Sequence, residues 1–373
     1  MTQRCAEIVG AGFAGLTAAC ALAQRGWRVR VHERADRLRA TGAGIYIYEN
    51  GLRVLEALGA YEAAIAGAPL AHTREVRDDR NRVISVHRWS GSRVFSIVRQ
   101  KVIDALAVAA IKAGAEIVTG STAIAATAAG ELALANGQRL KADLIVGADG
   151  SNSRVRDSLG LAAKRKHLVD GCTRLLMART PQECDSANDG TTIEYWSGTR
   201  RILYTPCSER EVYIALTMLD SDVAAKAVPL RKEVWQRAFP HLAPLIDHIG
   251  DQGRYDRFEL IKLQCWSAGR VAIIGDAAHA LPPNIGQGGG CAMMNGLSLA
   301  VHLDRVGDVP AALAAWEHQE RPITNHTQRI SVLLGLPTTW PPSLRAFAFG
   351  LAGRSKWLTR QRNRTALHRP TGT

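Results

Sequence analysis

A chain of 373 residues, 46% of them hydrophobic, is long enough for about two domains with sizeable buried cores. It has no run near the roughly 18 apolar residues of a membrane-crossing helix, and its start, MTQRCAEIVGAGFAG, lacks a signal-peptide pattern, so a cytoplasmic protein with no membrane partner is expected. The net charge of +13 raises the question of nucleic acid, but six cations (Arg354, Lys356, Arg360, Arg362, Arg364, Arg369) crowd an acid-free C-terminal stretch and the rest are dispersed without a recognition motif, which favours a surface that attracts small anions and a dinucleotide.

In chain order, AEIVGAG reads as a buried strand and LTAACALAQRG as a helix ending at Gly26. WRVRVHE is a second strand and closes a βαβ unit. GAGIYIYENGLRVLEALGAY reads as an irregular glycine segment followed by a helix. Residues 73–98 alternate and suggest a β-hairpin turning near Asp78–Asn81. KVIDALAVAAIKAG is an amphipathic helix, and ADLIVGADG a strongly apolar strand ending in a turn. Between 171 and 262 the pattern changes to β-runs (TRLLMAR, TTIEYW, RRILYTP, EVYIALTM) with a helical insert near 229–248. Strand pattern returns at GRVAIIGDAAHA, followed by GQGGG and helices. The seven cysteines, Cys184 among them, are scattered and never spaced as CxxC, so reduced thiols are expected and no metal site.

Three motifs carry chemistry. Gly10-Ala11-Gly12-Phe13-Ala14-Gly15 lies between strand and helix. There the first Gly permits the turn, the second admits a pyrophosphate, and the third lets helix and strand pack, while the helix N-terminus offers free N–H groups. Glu33, followed by Arg34, ends the second strand, where an acid can accept from an adenosine ribose. The second motif, Gly147-Ala148-Asp149-Gly150-Ser151, taken alone is a strand-terminating turn. The third joins Gly275-Asp276-Ala277-Ala278-His279 to Pro282-Pro283 and Gly286-Gln287-Gly288-Gly289-Gly290. Its acid can hold a ribityl hydroxyl, and its helix N-terminus can face a flavin edge that gains negative charge on reduction. His279 reads as structural.

Together these elements resemble the flavin-dependent aromatic hydroxylases typified by p-hydroxybenzoate and salicylate hydroxylases. The resemblance runs to about residue 330 and implies a Rossmann-like FAD-binding α/β domain of the GR2 type, interrupted by a mainly β substrate-binding domain. The expected division is 1–72, 97–170 and 263–330 for FAD, 73–96 and 171–262 for substrate, and a helical, basic segment over 331–373. The resemblance implies tightly bound FAD, transient NADH or NADPH, and O2. It also implies cofactor contacts from Arg39, from Gly44 within Gly42-Ala43-Gly44, and from Arg99; each arginine alone would pass for a surface cation.

Closer matches (GAGIYIYENGLRVLEALGA, RRILYTPCSEREVY, GGGCAMMN, ERPIT) resemble the branch of 2-methyl-3-hydroxypyridine-5-carboxylate oxygenases. That resemblance leads to NADH as reductant and to Met294 and Asn295 where most aromatic hydroxylases carry an acidic pair. It places Arg174, Arg201, Tyr213 and Pro283 at the substrate, with Phe258 where a tyrosine is expected and Tyr255 nearby. Arg201, Tyr213 and Pro283 are the implied catalytic set. A pocket tyrosine on the first hairpin has no match, since His72, Thr73 and Arg74 stand there. Arg201 and Tyr213 lie on adjacent strands and face one side if the hairpin register permits; otherwise they form an ordinary surface pair. The expected substrate is a small hydroxylated aromatic or pyridine carboxylate, with ring opening left open. A salicylate-type hydroxylase and a flavoprotein oxidoreductase without oxygen insertion stay as alternatives, and a homo-oligomer is compatible.

Overall fold

The computed structural model describes residues 3–39, 43–89, 91–161, 163–180 and 190–373. Gly42 and Cys184 lie outside them. Strands are numbered β1 to β18 along the chain. One sheet has the order β17-β18-β11-β1-β2-β7. Its core strands β1 (Cys5–Val9), β2 (Arg28–His32), β7 (Glu116–Val118), β11 (Leu144–Gly147) and β18 (Val271–Ile273) run parallel, and β17 (Ser267–Ala268) closes one edge antiparallel. The strands read as unbroken apolar runs because helices cover the sheet. The helices Phe13–Ala23, Arg99–Lys112, Gly288–Arg305 and Val309–Leu333 supply residues of this main core, including Leu16, Leu106, Leu299 and Trp316, all inaccessible to solvent.

The second large sheet has seven strands in the order β16-β12-β15-β14-β13-β4-β5. These are β4 (Thr73–Asp78), β5 (Val83–Arg88), β12 (Ala163–Ala178), β13 (Thr191–Ser197), β14 (Arg200–Pro206), β15 (Glu211–Leu219) and β16 (Arg254–Leu263). The β4–β5 hairpin turns where expected, with Asn81 at a φ of 62°. Strand β12 runs through the expected boundary at 170/171. Its polar first half, KRKHL, pairs with β16 alone and carries no alternation that marks a strand.

Two further corrections concern the first half of the chain. Residues read as an irregular glycine segment form β3 (Gly44–Tyr48), paired antiparallel with β6 (Val94–Val98). A small sheet of β8 (Ala123–Thr127), β9 (Glu131–Leu134) and β10 (Arg139–Lys141) went unread because its strands are short and rich in alanine.

The seven-stranded sheet has one dry face and one face toward a cleft. On the dry face Ile202, Ile214 and Leu216 meet Trp235, Phe239, Ile246 and Ile249 of the helical insert. Full burial is worth about 1.5–3 kcal/mol per large apolar side chain, so this face cannot turn to water. Period-2 alternation then commits Arg201, Leu203, Tyr213 and Ala215 to the other side. Among the described residues no helix is long and apolar enough to cross a membrane, no group of acids, His or Cys could hold a metal, and the six cysteines are free.

Candidate active site

The three motifs leave the carboxyl ends of β1, β11 and β18, which are neighbours in the parallel sheet. Ligands of open α/β sheets bind along that edge, where the chain direction reverses. The turns are packed against one another. A Cβ on Gly10 would stand 2.4 Å from the Ala148 carbonyl oxygen, and one on Gly15 would stand 1.9 Å from the Gly10 carbonyl oxygen. Arg156, 3% exposed, joins the second motif to the third by donating to the carbonyls of Ser151 at 3.0 Å and Ala277 at 3.1 Å.

A cavity of about 1610 Å³ lies between this edge and the seven-stranded sheet, and one of about 200 Å³ adjoins it. Gly10, Glu33, Arg34 and Asp149 line the small one. Glu33 accepts from the backbone N–H groups of Ala11 at 2.9 Å and Ala35 at 3.0 Å, and each oxygen keeps room for a further donor. One Asp149 oxygen caps the helix Arg154–Ser158, taking the Arg154 N–H at 2.8 Å, while the other is buried without a partner. The turn reading and the ligand reading of this acid thus claim one oxygen each.

The large cavity fits the rest of an FAD. Gly12, at the N-terminus of the helix Phe13–Ala23, has no atom within 4 Å of the place a Cβ would take, and neither has Gly288 on the helix Gly288–Arg305. Neither helix carries a side-chain cap or an acid in its first turn. Two positive helix ends therefore open on the same space, which suits a diphosphate at one and an electron-rich ring edge at the other. Phe13, Ala14, Gly44, Gly275 and Asp276 line it too, with exposed Arg39 at its rim. Arg99 lies over Phe13 at 5.0 Å with its Nε buried and unpaired. Burial pulls its guanidinium down and pushes the Asp276 carboxyl up, the latter opposed by Arg99 and Arg174. Gly286 and Gly289 also line the cavity, but Gly290 does not. Its Cβ would stand 2.9 Å from Gln287 Oε1, so it packs behind the cradle.

The facing sheet contributes side chains. Arg201 pairs across with Thr217, Leu203 with Ala215, and Thr205 with Tyr213. Arg201 and Tyr213 share a face but stand four residues apart along the ladder, about 13 Å at the usual strand rise. The register therefore puts them on one side, where they flank an apolar floor of Leu203 and Ala215. Burial pushes the Tyr213 hydroxyl up, opposed by the Arg174 guanidinium nearby. Arg174 also meets Asp256 at 3.2 Å and lies over Phe258 at 5.8 Å. Tyr255 also lines the cavity, with its hydroxyl donating to Asp220 at 3.0 Å. Pro283 borders the cavity on the flavin-loop side. His279 is a core residue, bonded to Asn295 at 2.8 Å and pushed down to about 4 by burial.

Sequence reasoning missed four groups of this chamber. Tyr46 bonds Thr205 and Thr192, and Tyr48 lies 3.2 Å from where a Gly286 Cβ would stand; the alternation in GIYIY was the available signal. Glu194 pairs with Arg74, and against the penalty of burial Arg74 and Arg201 hold its carboxyl below the usual range. Arg362, from the basic C-terminal stretch, lines the same cavity, and nothing in that stretch marked it out.

Comparison with known proteins agrees with this geometry. The chain is 45% identical over 370 residues to a putative 2-heptyl-3-hydroxy-4(1H)-quinolone synthase of Rhodococcus erythropolis, covering 98% of this chain and 97% of that one. It is 41% identical over 361 residues to a 2-heptyl-3-hydroxy-4(1H)-quinolone synthase of Mycobacteroides abscessus, covering 95% and 96%. Its fold matches a tetrameric 2-methyl-3-hydroxypyridine-5-carboxylic acid oxygenase with a TM-score of 0.88 and 40% identity, over 98% and 96% of the two chains. Residues 2–329 match the FAD binding domain family. With the cradle, the cavity and these relatives in agreement, the chain belongs to the FAD-binding monooxygenase family and is an FAD-dependent monooxygenase using NAD(P)H and O2.

Proposed function

We propose that this enzyme inserts one oxygen atom into a small, oxygen-bearing nitrogen heteroaromatic ring, with a hydroxypyridine carboxylate as the leading substrate. The observation that carries this reading is the chamber itself: a flat apolar floor of Leu203 and Ala215 with arginines at both ends, opposite Pro283 and the flavin loop. When bound, FAD would supply the redox chemistry, hydride acceptance and O2 activation. The chain's own residues orient and enclose. Gly10, Gly12, Phe13, Ala14, Gly15, Glu33 and Asp149 hold the adenosine and diphosphate, with Arg34 beside them. Asp276, Arg99, Arg39, Gly44, Gly275 and three glycines of the GQGGG loop, Gly286, Gly288 and Gly289, hold the ribityl chain and ring, with Gly290 packed behind them. Arg201 and Tyr213 act from the two ends of the floor, while Arg174 and Phe258 wall the Tyr213 end. The two large sheets then correspond to a cofactor domain and a substrate domain, and the tetrameric relative supports a homo-oligomer.

A second substrate reading, a 2-alkyl-4-quinolone, is favoured by the quinolone synthases at 45% and 41% identity. A panel of hydroxypyridine carboxylates, hydroxybenzoates and alkylquinolones, followed by NAD(P)H consumption and by product mass under isotopically heavy O2, separates these readings. Label in a pyridine product supports the first and label in a quinolone the second. Ring-stimulated NAD(P)H oxidation that places no label in any product overturns oxygen insertion.

A further inference from the structure

Four guanidinium groups gather at one end of the chamber, and three of them are committed. Arg74 pairs with Glu194. Arg201 divides itself between Glu194 at 3.4 Å and Asp170 at 3.6 Å, and lies over Trp196 at 4.8 Å. Arg345 donates to the Gly198 carbonyl at 2.5 Å and lies over Trp196 at 4.5 Å. Arg362 makes no hydrogen bond or ion pair among the described residues, although it lines the cavity and its electrostatic neighbours are Arg74, Tyr48 and Glu194. Two carboxylates thus face four cations. Burial, moreover, pushes Asp170 up, and His87 beside Arg74 and Arg362 is pushed down to about 4, first by burial and then by those cations.

A half-buried guanidinium without a partner carries a cost, so its position must be enforced by the fold. Here it is. The helix Lys356–Asn363 is capped by Ser355, and Gln361 O faces His326 Nε2 at 3.0 Å. Just beyond the helix, Thr365 Oγ1 meets Thr327 Oγ1 at 2.7 Å and the Ala366 carbonyl accepts the Asn50 N–H at 3.0 Å. The C-terminal stretch is therefore a fixed wall of the chamber. Burial, with Arg74 beside it, brings the Arg362 guanidinium down to about 10, so it stays cationic at neutral pH and lacks only a counter-ion.

We propose that Arg362 is a substrate-binding, specificity-determining residue that meets an anionic oxygen of the ring substrate, a carboxylate or a phenolate. Its planar fork suits such a group, and Arg74, already spent on Glu194, reinforces the positive field. This rests on the reading of the chamber as the substrate site, but it concerns charge selection and leaves the ring class open.

The test titrates the FAD-loaded enzyme with 6-hydroxynicotinate and with its neutral carboxamide, following the flavin spectrum, in wild type, Arg362→Gln and Arg362→Met. The two variants remove the charge in different ways, and Met keeps the apolar stem. Wild type should prefer the carboxylate. Both variants should keep their FAD and weaken carboxylate binding about 10- to 100-fold with little change for the carboxamide, as for a lost charge-assisted hydrogen bond. Three results overturn the proposal: equal binding of both probes, or of neither, by wild type; a carboxylate preference that survives in the variants; or a rise confined to the KM for the nicotinamide nucleotide. Charge preference that depends on Arg362, without turnover of any pyridine, would defeat the substrate reading and leave this inference standing.

Discussion

The two sides of the large cavity are built by different means. On the parallel-sheet side, recognition is mostly backbone: turns at the ends of β1, β11 and β18, two uncapped helix N-termini, and glycines that leave room. On the seven-stranded side it is side chain: arginines, carboxylates and tyrosines on a sheet whose other face is locked by its core. Backbone recognition demands glycine at fixed spacing and leaves a mark in the sequence. Side-chain recognition is drawn from residue types that any surface uses.

The sharpest way to break this contrast is Gly12→Glu. The space beside Gly12 is open, so the protein should still fold, but a carboxylate would occupy the diphosphate site and repel it. Loss of FAD affinity by at least about a hundredfold, with an unchanged thermal transition of the apoprotein, is expected. Normal FAD content would show that the backbone cradle is not the cofactor site.

Arg156→Met tests whether the two motifs it bridges stand independently. Two charge-assisted hydrogen bonds to carbonyls, one of them fully buried, are removed together with the pairing to Asp157, and a loss of about 3 kcal/mol in unfolding free energy is expected, partly recovered by added FAD. An unchanged transition would mean that the turns hold each other without it.

On the other side of the cavity, Arg201→Ala should weaken substrate binding by about 1.5–3 kcal/mol and lower product formed per NAD(P)H consumed, while FAD stays bound. Tyr213→Phe should cost less, about 1 kcal/mol, because only one neutral hydrogen bond to the substrate is lost. If either variant lost its FAD, the division of labour between the two sides would fail.

The smallest expected effect lies outside both. Arg93, through its hydrogen bonds, holds Glu49 at about 2, well below the usual carboxylate range. A folded-state value below the unfolded one stabilises above pH 4.5 or so, and the gain disappears as pH falls toward 2. Glu49→Gln should remove that part of the acid-unfolding limb and leave cofactor and substrate binding unchanged in titrations at neutral pH.

Much of the cofactor side was legible because its constraints are local. Gly10, Gly12 and Gly15 stand between a strand and a helix, and Glu33 ends the next strand, all within one βαβ unit. The chamber was legible only in outline. Alternation placed Arg201 and Tyr213 on one face, but their separation depends on register, which the turn around residues 207–210 sets and no spacing rule reveals. Arg362 was unreadable for a different reason. Its contact with the chamber joins residues hundreds of positions apart, and a cation at a chamber wall looks in sequence like one in water. Tyr46 and Tyr48 lie between these cases, since the period-2 signal existed and the flanking glycines masked it.

The two-faced construction of the seven-stranded sheet also makes the enzyme separable under mutation. Along β14 and β15, Ile202, Ile214 and Leu216 carry stability, while Arg201, Leu203, Tyr213, Ala215 and Thr217 face the ligand space. Substitutions at the second set alter the chamber without opening voids in the insert's core, so the chain can trade one ring for another at small thermodynamic risk. A library confined to those alternating positions would explore selectivity while most of its members still fold, and the same partition gives natural variants a route to new substrates on an unchanged scaffold.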